Sequence, residues 1–241
     1  MPALPLFTPQ SFSGLDPLGI VLVLVLLILS LGVHEAAHAW VAWKCGDSTA
    51  KDLGRITLNP LPHIDPWMTI LLPAALLLSS GGQRFFGGAK PVPVSFHRLR
   101  NPWRDMCLVA IAGPLSNFVL AAFFWTARHF FLKTGWYNGA GEFAEARRGD
   151  LLPQVLENAA YWNLLLVVFN LVPIPPLDGS RVMAYLLPPG MREHYIAVGR
   201  YGMLIIFGLL YVSPEFNRLI FTTLDALLYA LDSMVTLGGR W

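Results

Sequence analysis

The chain has 241 residues, of which 55% are apolar and 13% charged, about half the charged share of a soluble globular domain. A mean hydropathy of +0.53 places it in the membrane class, and a net charge of +2 is too small to suggest nucleic acid as a partner. Its two cysteines, Cys45 and Cys107, each lie at the edge of an apolar run. They form neither a disulfide framework nor a CxxC metal pattern, and read as packing residues.

The first apolar run covers about 18–43. No Lys or Arg precedes Lys44, so the positive region of a signal peptide is missing, and the run is too long for a signal core. It reads as a retained spanning helix. Within it lies HEAAH: His34, Glu35, Ala36, Ala37 and His38. Histidines at i and i+4 share one helix face, so two imidazoles can bind one metal ion. A glutamate beside the first histidine can act as general base on a water at that metal. Zinc suits nitrogen and carboxylate ligands in a hydrolase, because it brings the pKa of its water to about 7. Three ionisable groups within one turn of a spanning helix are expensive and rarely idle.

Next, the run 67–80 contains Pro73 and has 14 residues. It is short for a span, which needs about 20, and suits a re-entrant or interfacial segment. Further spans are expected at about 105–132, 153–172, 195–212 and 216–237. The stretch 173–190 holds five prolines among apolar residues and reads as a broken helix lining a cavity. The fold class is therefore an all-α polytopic membrane protein with five to six transmembrane helices. No segment is long enough for a second domain. Residues 1–241 read as one unit, with a core of about 18–190 and extra C-terminal helices over about 195–237.

Positive charge orients the chain. Lys44, Lys51 and Arg55 follow the first helix, and Arg84, Lys90, Arg98, Arg100 and Arg104 fill the next loop. Both stretches read as cytoplasmic. The loop 133–152 balances Lys133, Arg147 and Arg148 against Glu142, Glu145 and Asp150 and suits the outer face. The N-terminus then lies outside, the C-terminus with Arg240 lies inside, and the site opens toward the cytoplasm.

Asp178 sits in NLVPIPPLDG, residues 170–179. A carboxylate in a proline-interrupted apolar segment either meets a cation or caps a helix over 180–187. Beside HEAAH, the cation reading leads. His63, just past Asn59-Pro60, either lines the site or caps a turn, while His97, His129 and His194 read as surface histidines.

HEAAH in a spanning helix followed by NLVPIPPLDG resembles the site-2 protease family of intramembrane metalloproteases. LNPLPHIDP (58–66), FGGAKPVPV (86–94) and AGPLSN (112–117) resemble its short bacterial and archaeal members. The resemblance implies one zinc ion per chain on His34, His38 and Asp178. It makes Glu35 the residue that activates water, and Asn117 a residue that holds substrate or the developing oxyanion. His63 and Asn170 become candidate substrate-binding residues. The implied partners are single-span transmembrane protein substrates and the lipid bilayer, in a prokaryotic cell membrane. Neither a PDZ domain in the outer loop nor a nucleotide-sensing domain after residue 237 is expected. An unwound substrate strand is expected to lie on the 58–94 region. The rival readings are a zinc transporter or sensor using the same ligands, and a relative that binds membrane proteins without cutting them. A transporter is expected to show an internal repeat and a second set of polar groups, and neither is visible.

Overall fold

The computed structural model describes residues 17–73, 75, 87–134 and 151–238, and it is helical, with no strand among the described residues. The helices are α1 (Pro17–Lys44), α2 (Thr49–Asp52), α3 (Pro102–Thr134), α4 (Leu151–Asn170), α5 (Asp178–Leu186), α6 (Pro189–Ala197), α7 (Gly202–Val212) and α8 (Pro214–Gly238). Most of the expected outer loop, Arg84 and Arg240 lie outside the described residues. So does the end of the 67–80 run, whose beginning is a π-helical turn over Pro66–Leu71.

Local sequence sets the ends. Gly46, at φ 111°, stops α1 in the left-handed region. Pro102 opens α3 where its missing N–H costs nothing. Asp105 of that first turn is buried and reaches back to accept from the Asn101 N–H at 2.8 Å, while its own N–H donates to the Asn101 carbonyl.

Among the described residues, four stretches are long and apolar enough to cross a membrane: Leu18–Lys44, Pro102–Thr134, Pro189–Val212 and Pro214–Thr236. Their outward sides carry large apolar residues such as Leu18, Val21 and Val25 on α1, or Leu115, Val119 and Phe123 on α3. An exposed apolar stripe on a long helix is what lipid requires. The expected count of five to six spans would add α4 and the 67–80 run. At 20 residues α4 is long enough, but Gln154, Glu157, Asn158 and Asn163 lower its apolar character. It packs against α1, α3 and α8, so it has little lipid to face. Leu164, Leu165, Trp162 and Val168 of α4 meet Val23 and Leu27 of α1, Ala121 of α3 and Leu224 of α8 in the main core.

The buried stripe of α1 runs Val23, Leu27, Ser30, His34 and His38, at intervals of three or four. One helical periodicity therefore places both histidines on the face turned toward α3 and α4. Ser30 on that stripe accepts from Asn163 Nδ2 of α4 at 3.0 Å, a polar tie between buried helices.

Candidate metal centre

Three side chains from two elements converge beneath α3. His34 and His38 come from α1, and Asp178 is the first residue of α5. The Nε2 atoms of the two imidazoles are 3.0 Å apart, and each lies 3.3 Å from Asp178 Oδ2. Both histidines are buried. Leu177 occupies the N-cap position of α5, so the helix-cap alternative for Asp178 does not describe it.

The other nitrogen of each ring fixes what the first can do. His34 Nδ1 lies 2.9 Å from Asn117 Oδ1, and His38 Nδ1 lies 2.6 Å from the Val109 carbonyl. Facing acceptors, both Nδ1 atoms carry protons, which leaves both Nε2 lone pairs directed at each other and at a carboxylate oxygen. Such an array is repulsive unless positive charge sits among its members. Two ligand atoms about 2.0–2.1 Å from a tetrahedral zinc ion stand roughly 3.3 Å apart, close to all three separations. These residues could hold a metal ion, and their spacing and tautomers fit zinc.

Room for the pair is made by Gly113 of α3. A Cβ there would lie 2.4 Å from His38 Nε2 and 2.6 Å from His34 Cε1. The carbonyl of Val109 and the side chain of Asn117 flank that glycine one turn away on either side, so a single stretch of α3 covers and orients both imidazoles. Asn117 is fully buried, and its Nδ2 has no hydrogen-bond partner among the described residues.

Asp178 is aimed by the proline-rich turn between α4 and α5. Behind it, the Tyr195 hydroxyl donates to the Pro173 carbonyl at 2.7 Å. A Cβ on Gly202, at the start of α7, would lie 1.7 Å from the Pro175 carbonyl oxygen. The helices after residue 188 thus brace the turn that carries the carboxylate.

The remaining candidates lie apart from the triad. Glu35 is half-buried, and its Oε2 accepts from the Val92 N–H at 2.9 Å. His63 packs under α1 against Gly32 and borders a small cavity with Ile28, Thr69 and Ala89. Burial pushes its imidazole below the ordinary value, against the opposing effects of a backbone hydrogen bond to Thr57 and of the Glu35 charge. Asn170 donates to the Leu166 carbonyl of its own helix at 3.0 Å. His129, expected at the surface, is half-buried and pairs with Asp232 at 3.1 Å, because α8 packs beside α3. Gly113 and the Val109 carbonyl were missed by sequence reasoning. A small residue one helical turn before Asn117 in AGPLSN was the available signal for the first, whereas a backbone carbonyl leaves none.

Residues 22–210 match the profile of Peptidase family M50. The chain belongs to peptidase family M50. This M50 peptidase is 40% identical over 211 residues to "Putative zinc metalloprotease YwhC" of Bacillus subtilis, covering 87% of this chain and 89% of that protein. It is 31% identical over 220 residues to "Putative zinc metalloprotease Rip2" of Mycolicibacterium smegmatis, covering 88% and 73%. No solved structure matches it significantly. With its apolar helices, the M50 peptidase is an integral membrane protein.

Proposed function

We propose that this M50 peptidase, an intramembrane zinc metalloprotease, cleaves single-span membrane proteins with His34, His38 and Asp178 as zinc ligands. The observation that carries this reading is the convergence of the three ligand atoms within 3.3 Å of one another. Zinc bound there would polarise the scissile carbonyl and bring the pKa of its water near 7. Glu35, on the helix turn that bears both imidazoles, takes the proton of the attacking water and passes it to the leaving amine. Asn117 serves twice. Its Oδ1 holds His34 in the tautomer that leaves Nε2 free, and its unpartnered Nδ2 donates to the oxygen that gains charge.

His63 is a substrate-contact residue on this reading, since its buried imidazole borders the small cavity between α1 and the 58–94 region. A substrate-binding role for Asn170 gains no support from its hydrogen bond to Leu166. Residues 1–241 act as one domain on this reading, in which α6 to α8 buttress the core through the approach of Gly202 to Pro175.

The basic residues Lys44, Lys51, Arg55, Arg98 and Arg100 support a cytoplasmic placement for the near end of α1, and so for the site. One experiment tests chemistry and sidedness together. The protease and a tagged single-span substrate are placed in inverted and in right-side-out membrane vesicles, and EDTA, which does not cross the bilayer, is added outside. Cleavage stops in inverted vesicles, resumes when zinc is restored, and continues in right-side-out ones. Cleavage insensitive to EDTA in both would defeat the metal reading, and the opposite sidedness would invert the topology.

A further inference from the structure

The glutamate of HEAAH is held from a distance by backbone. Residues 87–95 run extended past α1 and are pinned along their length. The Gly88 N–H donates to the Met68 carbonyl at 3.0 Å, and the Gly88 carbonyl accepts from Thr69 Oγ1 at 2.6 Å. The Lys90 N–H donates to the His63 carbonyl at 2.8 Å. The Ser95 N–H donates to Asp47 Oδ2 at 2.6 Å, and Asp47, fully buried, also accepts from the Thr49 N–H. Burial opposes ionisation of Asp47, yet these bonds hold its carboxyl below the usual carboxylate range. Between the anchors at 90 and 95, the Val92 N–H donates to Glu35 Oε2 at 2.9 Å.

The sequence of this strap fits that arrangement. In an extended chain, successive N–H groups point to opposite edges. Residues 88, 90 and 92 therefore share one edge, and each finds an acceptor there. The intervening positions 91 and 93 are prolines, which have no N–H to offer the other edge. Every backbone donor from 90 to 93 is thereby directed to the Glu35 and His63 side.

We propose that the Val92 N–H is a positioning group for Glu35. It occupies Oε2, restricts the carboxylate to one rotamer, and leaves Oε1 as the oxygen that meets the water. A glutamate without this tether samples several rotamers, and a misplacement of about 1 Å costs roughly 10²-fold in rate. The inference rests on the reading of Glu35 as the proton-transfer residue, and the second measurement below is independent of it.

Two measurements on the purified full chain test it. Val92→Pro removes the donor, whereas Val92→Ala keeps it. With proline, kcat falls at least about 10-fold while KM stays within about 3-fold and zinc content is retained; alanine restores kcat to within about 3-fold of wild type. Wild-type kcat in Val92→Pro, or an equal loss in both variants, would overturn the proposal. If Val92→Pro loses zinc through misfolding, hydrogen exchange decides. In Glu35→Ala the Val92 amide exchanges at least about 10-fold faster, while the Lys90 amide, bonded to His63, keeps its rate. Unchanged exchange at Val92 would end the positioning proposal whatever Glu35 does in catalysis. Full activity in Glu35→Gln, in contrast, would end the general-base reading and leave the contact standing.

Discussion

Gly113→Ala abolishes zinc binding while leaving every proposed ligand in the sequence. The added Cβ would sit 2.4 Å from His38 Nε2 and 2.5 Å from His38 Cε1, with His34 Cε1 at 2.6 Å. No carbon approaches an imidazole that closely, so either the rings move or α3 does. The rings are fixed at their far sides by Asn117 Oδ1 and the Val109 carbonyl, both on α3. Moving α3 outward drags those acceptors away, and moving the rings breaks the same bonds. Either adjustment separates the two Nε2 atoms from Asp178 Oδ2. Overpacking a buried site of this kind costs about 1–3 kcal/mol in stability, and loss of orientation costs at least about 10–100-fold in metal affinity. The check is zinc per chain by elemental analysis beside thermal stability. A folded, zinc-free and inactive Gly113→Ala is expected; wild-type zinc content would mean that the rings do not lie under Gly113 in solution.

Glu35→Gln separates chemistry from binding. The substitution keeps shape, and the remaining side-chain oxygen still accepts from the Val92 N–H, so the strap stays in place. What is lost is the base. Zinc should remain at about one per chain, because its proposed ligands are untouched, while cleavage falls by at least about 10²-fold. His34→Ala provides the contrast, with zinc and activity lost together, since two ligands hold the metal poorly. The readouts are metal content and the initial rate on one single-span substrate. A fully active Glu35→Gln would remove proton transfer from Glu35 and bring transport or sensing by the same metal group to the front.

Legibility of the sequence followed the kind of interaction involved. Helical periodicity alone placed His34 and His38 on one face, and the structure turns that face inward along the stripe that also buries Val23 and Leu27. The approach of Asp178 across more than a hundred residues was signalled by a carboxylate stranded among prolines. Spans rich in Leu and Val were visible as long apolar runs. The run 153–172 was visible in the same way and is α4, but its enclosure by α1, α3 and α8 was not, because tertiary packing sets it. Least visible were contacts made through the backbone or through an absent side chain. The Val109 carbonyl on His38 and the Val92 N–H on Glu35 depend on tertiary geometry, and no local pattern encodes them; the space left by Gly113 showed only as a small residue one helical turn before Asn117. Asp47 is a further case, because a loop aspartate reads as solvated until the Ser95 N–H is found on it.

X-ray absorption at the zinc edge tests the ligand set most directly, on the purified wild-type chain and on Asp178→Ala. The wild-type spectrum is expected to show only nitrogen and oxygen neighbours, including two imidazoles, at about 2.0–2.2 Å. In Asp178→Ala one oxygen neighbour is lost, and zinc per chain falls in parallel. A sulfur neighbour at about 2.3 Å, which would have to come from Cys45, Cys107 or a methionine, would contradict the assignment. So would a zinc content and spectrum unchanged by the loss of Asp178.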